Sequence, residues 1–286
     1  MSATTIPTPL ISASDLSARM GQRDLRIVDL RHDLMQPGAG RVAWQAGHIP
    51  GAIHLDLDHD LSGQKSGRNG RHPLPDPLEF ARVLGAAGIS DHDHVVVYDD
   101  AGGAFAARLW WMLRWLGHDA VSVLDGGWQT WSRAGLPVTT EASTPIACVF
   151  TPRTPGAFTV DADDVACGLA EGRLLVVDAR APERFRGEVE PIDPVAGHIP
   201  GARNRFMRSN LDDAGCFKPA ATLRAEFEAL LAGRPASELV CQCGSGVTAC
   251  HNLLALTHAG IEGARLYPGS WSEWCADPSR PVAKGP

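Results

Sequence analysis

Ala46-Gly47-His48-Ile49-Pro50-Gly51-Ala52 recurs unchanged as Ala196-Gly197-His198-Ile199-Pro200-Gly201-Ala202. Two further landmarks recur in the same order around it. Ile27-Val28-Asp29-Leu30-Arg31 returns as Val176-Val177-Asp178-Ala179-Arg180, and Gly126-Gly127-Trp128 with Trp131 returns as Gly269-Ser270-Trp271 with Trp274. Three matches in register make the chain a tandem duplication, so one fold reading serves both halves. A stretch rich in Thr and Pro over residues 139–156 carries little hydrophobic periodicity and reads as a linker lying across the surface. The copies then fall at residues 8–140 and 158–286, with the linker at 141–157.

Within each copy, short apolar runs alternate with helical spacing. Arg26–Leu30, Val95–Tyr98 and Val121–Leu124 predict buried strands, with Leu174–Asp178, Leu239–Gln242 and Ala264–Tyr267 as counterparts. Leu78–Ala87, Ala104–Leu116, Leu223–Leu231 and Val247–Ala259 carry helical spacing. Strands alternating with helices predict an α/β fold, with a mostly parallel sheet flanked by helices on both faces in each copy. Sites in such sheets form beyond the carboxyl ends of the strands. The seven tryptophans from Trp110 to Trp274, namely 110, 111, 115, 128, 131, 271 and 274, read as core and inter-domain packing.

A net charge of −7 with no dense Lys/Arg run argues against a nucleic-acid partner. No apolar stretch approaches the ~20 residues that a membrane helix needs. The first 17 residues lack the basic and apolar blocks of a secretory signal, and seven cysteines follow no disulfide framework. Reduced thiols in a cytoplasmic setting are the expectation.

Cys243 opens the run Cys243-Gly244-Ser245-Gly246-Val247-Thr248, between the apolar Leu239–Gln242 and a helical segment. A cysteine at a strand end, then a glycine-broken turn, then a helix places a thiol in a cradle of backbone N–H groups at the positive end of a helix dipole. That setting stabilises negative charge on sulfur and welcomes an anion. Aligning the copies sets Asp99 opposite Cys243, so the first copy offers a carboxylate where the second offers a nucleophile. The first copy is expected to supply packing and contacts rather than turnover.

The Asp-x-Arg strand ends, the doubled Gly-His-Ile-Pro-Gly-Ala and the Cys-Gly-Ser-Gly-Val-Thr loop resemble the tandem-domain rhodanese-like sulfurtransferases, a family that includes thiosulfate and 3-mercaptopyruvate sulfurtransferases. The resemblance implies ping-pong transfer: the Cys243 thiolate takes sulfur from a small donor as a persulfide, and cyanide, a small thiol or a protein thiol such as a thioredoxin-like protein removes it. It implies no metal and no organic cofactor. Loop positions Gly244, Gly246, Val247 and Thr248 would stabilise the anion through their amides. Thr248, at the start of the helix, either caps it or donates to the persulfide.

Donor choice stays open between 3-mercaptopyruvate and thiosulfate. Thiosulfate-preferring members carry basic residues where this loop has Gly244 and Ser245, which matches the mercaptopyruvate pattern, in which Ser245 shuttles a proton or binds donor oxygen. Arg184 matches the arginine that pairs with the donor's anionic group, and a guanidinium fork suits carboxylate or sulfonate. The second arginine usual after Glu-Pro is replaced by Ile192, and the segment is one residue shorter, which leaves Arg186 or Arg71 as substitutes. In the mercaptopyruvate members a first-domain histidine relays protons to the loop serine, which points to His48. Its identical repeat at His198, in a segment shared by both copies, suits a turn equally well.

Cys241 and Cys250 flank the nucleophile as candidate resolving thiols. Together with Cys243 and His251 they match no common zinc spacing. A cysteine phosphatase shares this architecture but needs an arginine where Ala249 stands. A regulatory module that carries a persulfide to a protein partner is the remaining alternative.

Overall fold

The computed structural model describes residues 8–153 and 158–286. The first sheet contains β1 (Leu10–Ile11), β2 (Leu25–Asp29), β3 (Ile53–His54), β4 (His94–Tyr98) and β5 (Val121–Leu124), in the order β1-β5-β4-β2-β3. The second contains β6 (Leu175–Asp178), β7 (Arg203–Asn204), β8 (Leu239–Gln242) and β9 (Arg265–Leu266), in the order β7-β6-β8-β9. Every ladder is parallel. Val95, Val96, Val97 and Tyr98 of β4 and Leu239, Val240 and Cys241 of β8 are fully buried, as strands covered on both faces must be.

The central strands and the helices Pro77–Ala86, Ala106–Trp115, Ala220–Leu231 and Ala249–His258 lie within two or three residues of the sequence expectation. The two-residue strands β1, β3 and β7 are too short to carry a period. Helix starts carry their own chemistry. Asp76 accepts from the amides of Leu78 and Glu79 ahead of a proline at the first helical position, and Asp161 forms a capping box with Asp164.

The duplication is visible in the register. Asp29 of β2 pairs Tyr98, and Asp178 of β6 pairs Gln242. Each strand-end aspartate grips the arginine two residues on: Arg31 Nη2 lies 2.6 Å from Asp29 Oδ2, and Arg180 Nη2 lies 2.7 Å from Asp178 Oδ2. The same nitrogens donate to the carbonyls of Gly47 and Gly197, and the guanidiniums lie over Trp128 and Trp271. The repeated Asp-x-Arg, Gly-His and Gly-x-Trp landmarks are therefore one interlocked structural unit, made twice. Trp110, Trp131, Trp271 and Trp274 are core residues.

The chain divides into two compact units that do not follow one cut. Among the described residues, the first gathers residues 8–62, 75–153 and Ala214–Cys216; the second gathers Gly63–Leu74, residues 158–213 and Phe217–Pro286. The described part of the linker packs on the first unit, where Cys148 N donates to Gly85 O and Arg153 N to Leu116 O, both at 2.9 Å. A Cβ at Gly85 would lie 2.4 Å from Cys148 O, so the strap requires glycine beneath it. Residues 154–157 of the expected linker lie outside the described residues. Among the described residues, no helix is long and apolar enough to cross a membrane.

Candidate active site

Cys243 is the first residue beyond β8, 2% exposed, with the loop running into the helix Ala249–His258. Its amide donates to Ser270 Oγ at 3.1 Å, and that hydroxyl donates to Tyr267 O at 2.8 Å. Ser270 holds φ +54°, a left-handed conformation that costs a non-glycine residue about 1 kcal/mol or more. Its counterpart Gly127 has φ +55°. In the second unit the serine hydroxyl fixes the amide of Cys243.

The turn depends on Gly246, at φ +75°, where a Cβ would lie 2.3 Å from Pro268 O. Val247 is buried, and Thr248 makes no side-chain cap, which favours the role of donor over that of cap. Among the described residues, the amides of Gly244, Ser245, Val247 and Thr248 donate to no protein acceptor. The matching turn of the first unit shows what such a cradle holds. There Asp99 accepts from the amides of Ala101, Gly103, Phe105 and Ala106 at 2.8–2.9 Å. Burial pushes the Asp99 carboxyl up, and those four amides oppose it.

Ser245 Oγ lies 2.7 Å from Nδ1 of His72, and both are buried. The histidine at the loop serine is thus His72, from the segment Gly63–Leu74 that folds with the second unit. His48 stands elsewhere: its ring stacks on Trp44, with Nδ1 2.7 Å from Trp44 O and Nε2 3.2 Å from Glu141 O. His198 repeats that role, stacked on Phe185 with Nδ1 2.8 Å from Phe185 O. The duplicated histidines hold a turn, as their presence in both copies suggested.

Arg184 reaches the loop. A Cβ on Gly244 would lie 3.7 Å and 3.8 Å from its two terminal nitrogens. Its Nη2 donates to Glu190 Oε1 at 2.6 Å and to Asp193 Oδ2 at 3.4 Å. Burial would raise the Glu190 carboxyl, but Arg184 and the amides of Asp193 and Ile192 outweigh it and hold it below the usual range. Arg186, two residues on, turns away to pair with Glu188 at the surface. The cation that joins Arg184 is Arg71, whose Nη2 would lie 2.9 Å from a Gly244 Cβ. Burial alone would lower the Arg180 pKa, but Asp178, Glu190 and the neighbouring Cys243 raise it.

His72, Asp193 and Ser270 were not singled out as site residues in the sequence, whereas Arg71 was named as a substitute for the arginine missing at Ile192. His72 and Arg71 belong to a stretch without a duplicated motif. Ser270 had a legible signal, since it is the single change in a repeated Gly-x-Trp landmark. Cys241 is buried deep in β8, which pushes its thiol up, and Cys250 Sγ donates to Gly246 O at 3.4 Å. None of the seven cysteines is disulfide-bonded.

A rhodanese-like domain is matched at residues 12–134 and again at 161–277. The chain belongs to the tandem-domain rhodanese-like sulfurtransferases. It is 51% identical over 278 residues to a probable 3-mercaptopyruvate sulfurtransferase from Pseudomonas aeruginosa, covering 96% of this chain and 98% of that one. It is 39% identical over 289 residues to a putative thiosulfate sulfurtransferase from Mycobacterium tuberculosis, covering 96% and 97%. The solved 3-mercaptopyruvate sulfurtransferase from Leishmania major superposes with a TM-score of 0.81 at 31% identity, covering 93% of this chain and 73% of that one. In this rhodanese-like enzyme the second copy holds the thiol of Cys243 where the first holds the carboxylate of Asp99.

Proposed function

We propose that the enzyme moves sulfur from 3-mercaptopyruvate to a thiol acceptor through a persulfide on Cys243. The observation that carries the donor is the 2.7 Å contact between Ser245 Oγ and His72 Nδ1 beside a loop without basic side chains. Thiosulfate gives up its sulfane sulfur and leaves as sulfite with no proton to move. 3-Mercaptopyruvate brings a thiol proton and leaves a carbon that must gain one. A hydroxyl–imidazole pair is needed only for the second donor.

In this reading the Cys243 thiolate attacks the donor sulfur and the S–S bond forms as the C–S bond breaks. The electron pair of that bond passes to carbon as the enolate of pyruvate. Ser245 and His72 relay the donor's thiol proton to that carbon, leaving pyruvate and an anionic persulfide. The amides of Gly244, Ser245, Val247 and Thr248 stabilise the persulfide, as those around Asp99 hold a carboxylate. Arg184 anchors the donor carboxylate. An acceptor thiolate then attacks the outer sulfur and restores Cys243; cyanide serves as a small acceptor in vitro. The relay passes to His72, and His48 and Arg186 keep structural places. Seven cysteines without a disulfide support a reducing, cytoplasmic setting.

Measuring kcat/KM for both donors in the wild type, Cys243→Ser and Arg184→Ala tests the assignment. The expected result is a preference for 3-mercaptopyruvate, abolished turnover in Cys243→Ser and a raised KM in Arg184→Ala. A preference for thiosulfate overturns the donor assignment.

A further inference from the structure

The carboxyl ends of β2 and β3 bring three ligand-type side chains together in the first unit, on the rim where parallel sheets place their sites. His32 follows Asp29, the end of β2, after Leu30 and Arg31; Asp56 and Asp58 follow His54, the end of β3. The two strands pair in parallel with Asp29 beside His54, so both loops leave the sheet on the same rim. One ligand atom from each of His32, Asp56 and Asp58 lies within 4.8 Å of the others. The His32 side chain is 4% exposed, and its ring meets Phe105 edge-on with centroids 5.2 Å apart. Phe105 also gives its amide to Asp99, so the cluster stands next to the filled cradle of the first copy.

His32 is the residue that points to a ligand. Its Nε2 is buried and, among the described residues, has no hydrogen-bond partner, although a buried imidazole nitrogen normally finds one. The two carboxylates stop short of it. Nε2 is 3.7 Å from Asp58 Oδ2, and Nδ1 is 4.0 Å from Asp56 Oδ2. Those gaps exceed a direct N–H···O bond of about 2.7–3.2 Å. They fit a shared cation, whose arms of about 2.0–2.2 Å hold neighbouring ligand atoms about 3–4 Å apart. Asp56 meets its own loop through the other oxygen, Oδ1, which accepts from the amides of Asp58 and His59 at 2.8 Å and 3.0 Å.

We propose that His32, Asp56 and Asp58 bind one first-row divalent cation of the Mn²⁺ type, with water completing its shell. His32 supplies the nitrogen through Nε2 and the aspartates one oxygen each. An imidazole in the set disfavours Mg²⁺ and Ca²⁺, which take oxygen ligands, and the lack of a thiolate disfavours a zinc–cysteine centre. The ion ties the loop after β2 to the loop after β3 and stabilises the first unit by binding its folded form. The inference concerns the first unit alone and stands apart from the donor reading at Cys243.

The test titrates the full chain, freed of metal by chelation and dialysis, with Mn²⁺ and follows the unbound ion by electron paramagnetic resonance. Mn²⁺ is the probe because thiols favour softer metals, which keeps the cysteines out of the measurement. The wild type is expected to bind one Mn²⁺ per chain and to unfold at a higher temperature when saturated. His32→Gln and Asp56→Asn are each expected to weaken binding by at least about tenfold, since even the outer partners of a metal ligand contribute about 10- to 100-fold. An approximately tenfold excess of Mg²⁺ is expected to leave the ion in place. Thermal unfolding confirms that each variant folds, and if His32→Gln does not, Asp58→Asn at the more exposed ligand gives the same comparison. No saturable binding by the wild type, unchanged binding in the folded variants, or displacement by Mg²⁺ overturns the proposal.

Discussion

Asp99 and Cys243 occupy the same position on equivalent strands, each directly after the residue that pairs with the strand-end aspartate. The carbonyl of each accepts from the corresponding tryptophan amide, Trp128 for Asp99 at 2.8 Å and Trp271 for Cys243 at 3.0 Å. One copy thus fills its anion cradle with its own carboxylate, and the other leaves the cradle open around a thiol. The duplication thus sets a carboxylate and a thiol in equivalent places on one scaffold.

Asp99→Ala should accordingly destabilise the first unit while sparing chemistry. It strands three buried amides and the half-buried amide of Ala101, each buried one costing about 1–3 kcal/mol where water cannot replace the carboxylate. Urea unfolding should show a lowered midpoint, with turnover per folded molecule close to wild type. Unaltered stability would mean that the amides find other partners.

His72→Gln should separate the two donors. A lost general acid–base relay costs about 10²- to 10⁴-fold in rate. Steady-state kinetics should show that loss in kcat for 3-mercaptopyruvate, with KM little changed. Thiosulfate, which has no thiol proton to move, should lose far less. Equal losses with both donors would make His72 a packing residue.

Ser270 sits at a strained φ of +54° and bonds the Cys243 amide through its hydroxyl. Ser270→Gly relieves about 1 kcal/mol of strain while forfeiting the bonds to Cys243 N and Tyr267 O, so a modest net loss of stability is expected. Ser270→Ala keeps the strain and loses both bonds, so it should be the less stable of the two. Unfolding curves of the pair decide this, and the opposite order would refute the account.

The pH dependence of stability has an identifiable contributor in the first unit. Burial first, then Arg19 and His118, push His94 down to about 4. Arg19 Nη1 lies 2.5 Å from Nδ1, and Nε2 is 3.0 Å from Ser122 Oγ, an arrangement that suits the neutral ring. Because the folded pKa lies below the unfolded value of about 6.5, the unfolded chain takes up the proton first as pH falls. The stabilisation is complete above about 6.5 and is lost as pH falls from there toward the folded value. His54 and His118, also lowered mainly by burial, add to the trend. His94→Gln should flatten the fall of the urea midpoint over that window, and an identical slope would exclude His94 as a source.

The repeat made the fold legible because the interlocked Asp29–Arg31 and Asp178–Arg180 units need their glycine and tryptophan partners in both copies. Central strands showed as apolar runs, whereas edge strands such as Ile53–His54 are two residues long and leave no period to read. Cys243 was legible as a candidate nucleophile because its counterpart is an aspartate. His72 was not, because the segment that carries it has no repeated motif and folds with the second unit, so the doubled His48 drew attention instead. Arg184 and Arg186 looked alike in sequence. The short helix Pro182–Phe185 sends the first toward Gly244 and the second to Glu188 at the surface.

The central claim is that Cys243 carries the sulfur. The most direct measurement mixes the enzyme with 3-mercaptopyruvate, without acceptor, and locates the added mass by peptide mass spectrometry while pyruvate is counted. The account predicts one sulfur atom on Cys243, one pyruvate released per enzyme, and neither in Cys243→Ser. An added sulfur on Cys241 or Cys250, or pyruvate release that persists in Cys243→Ser, would contradict it.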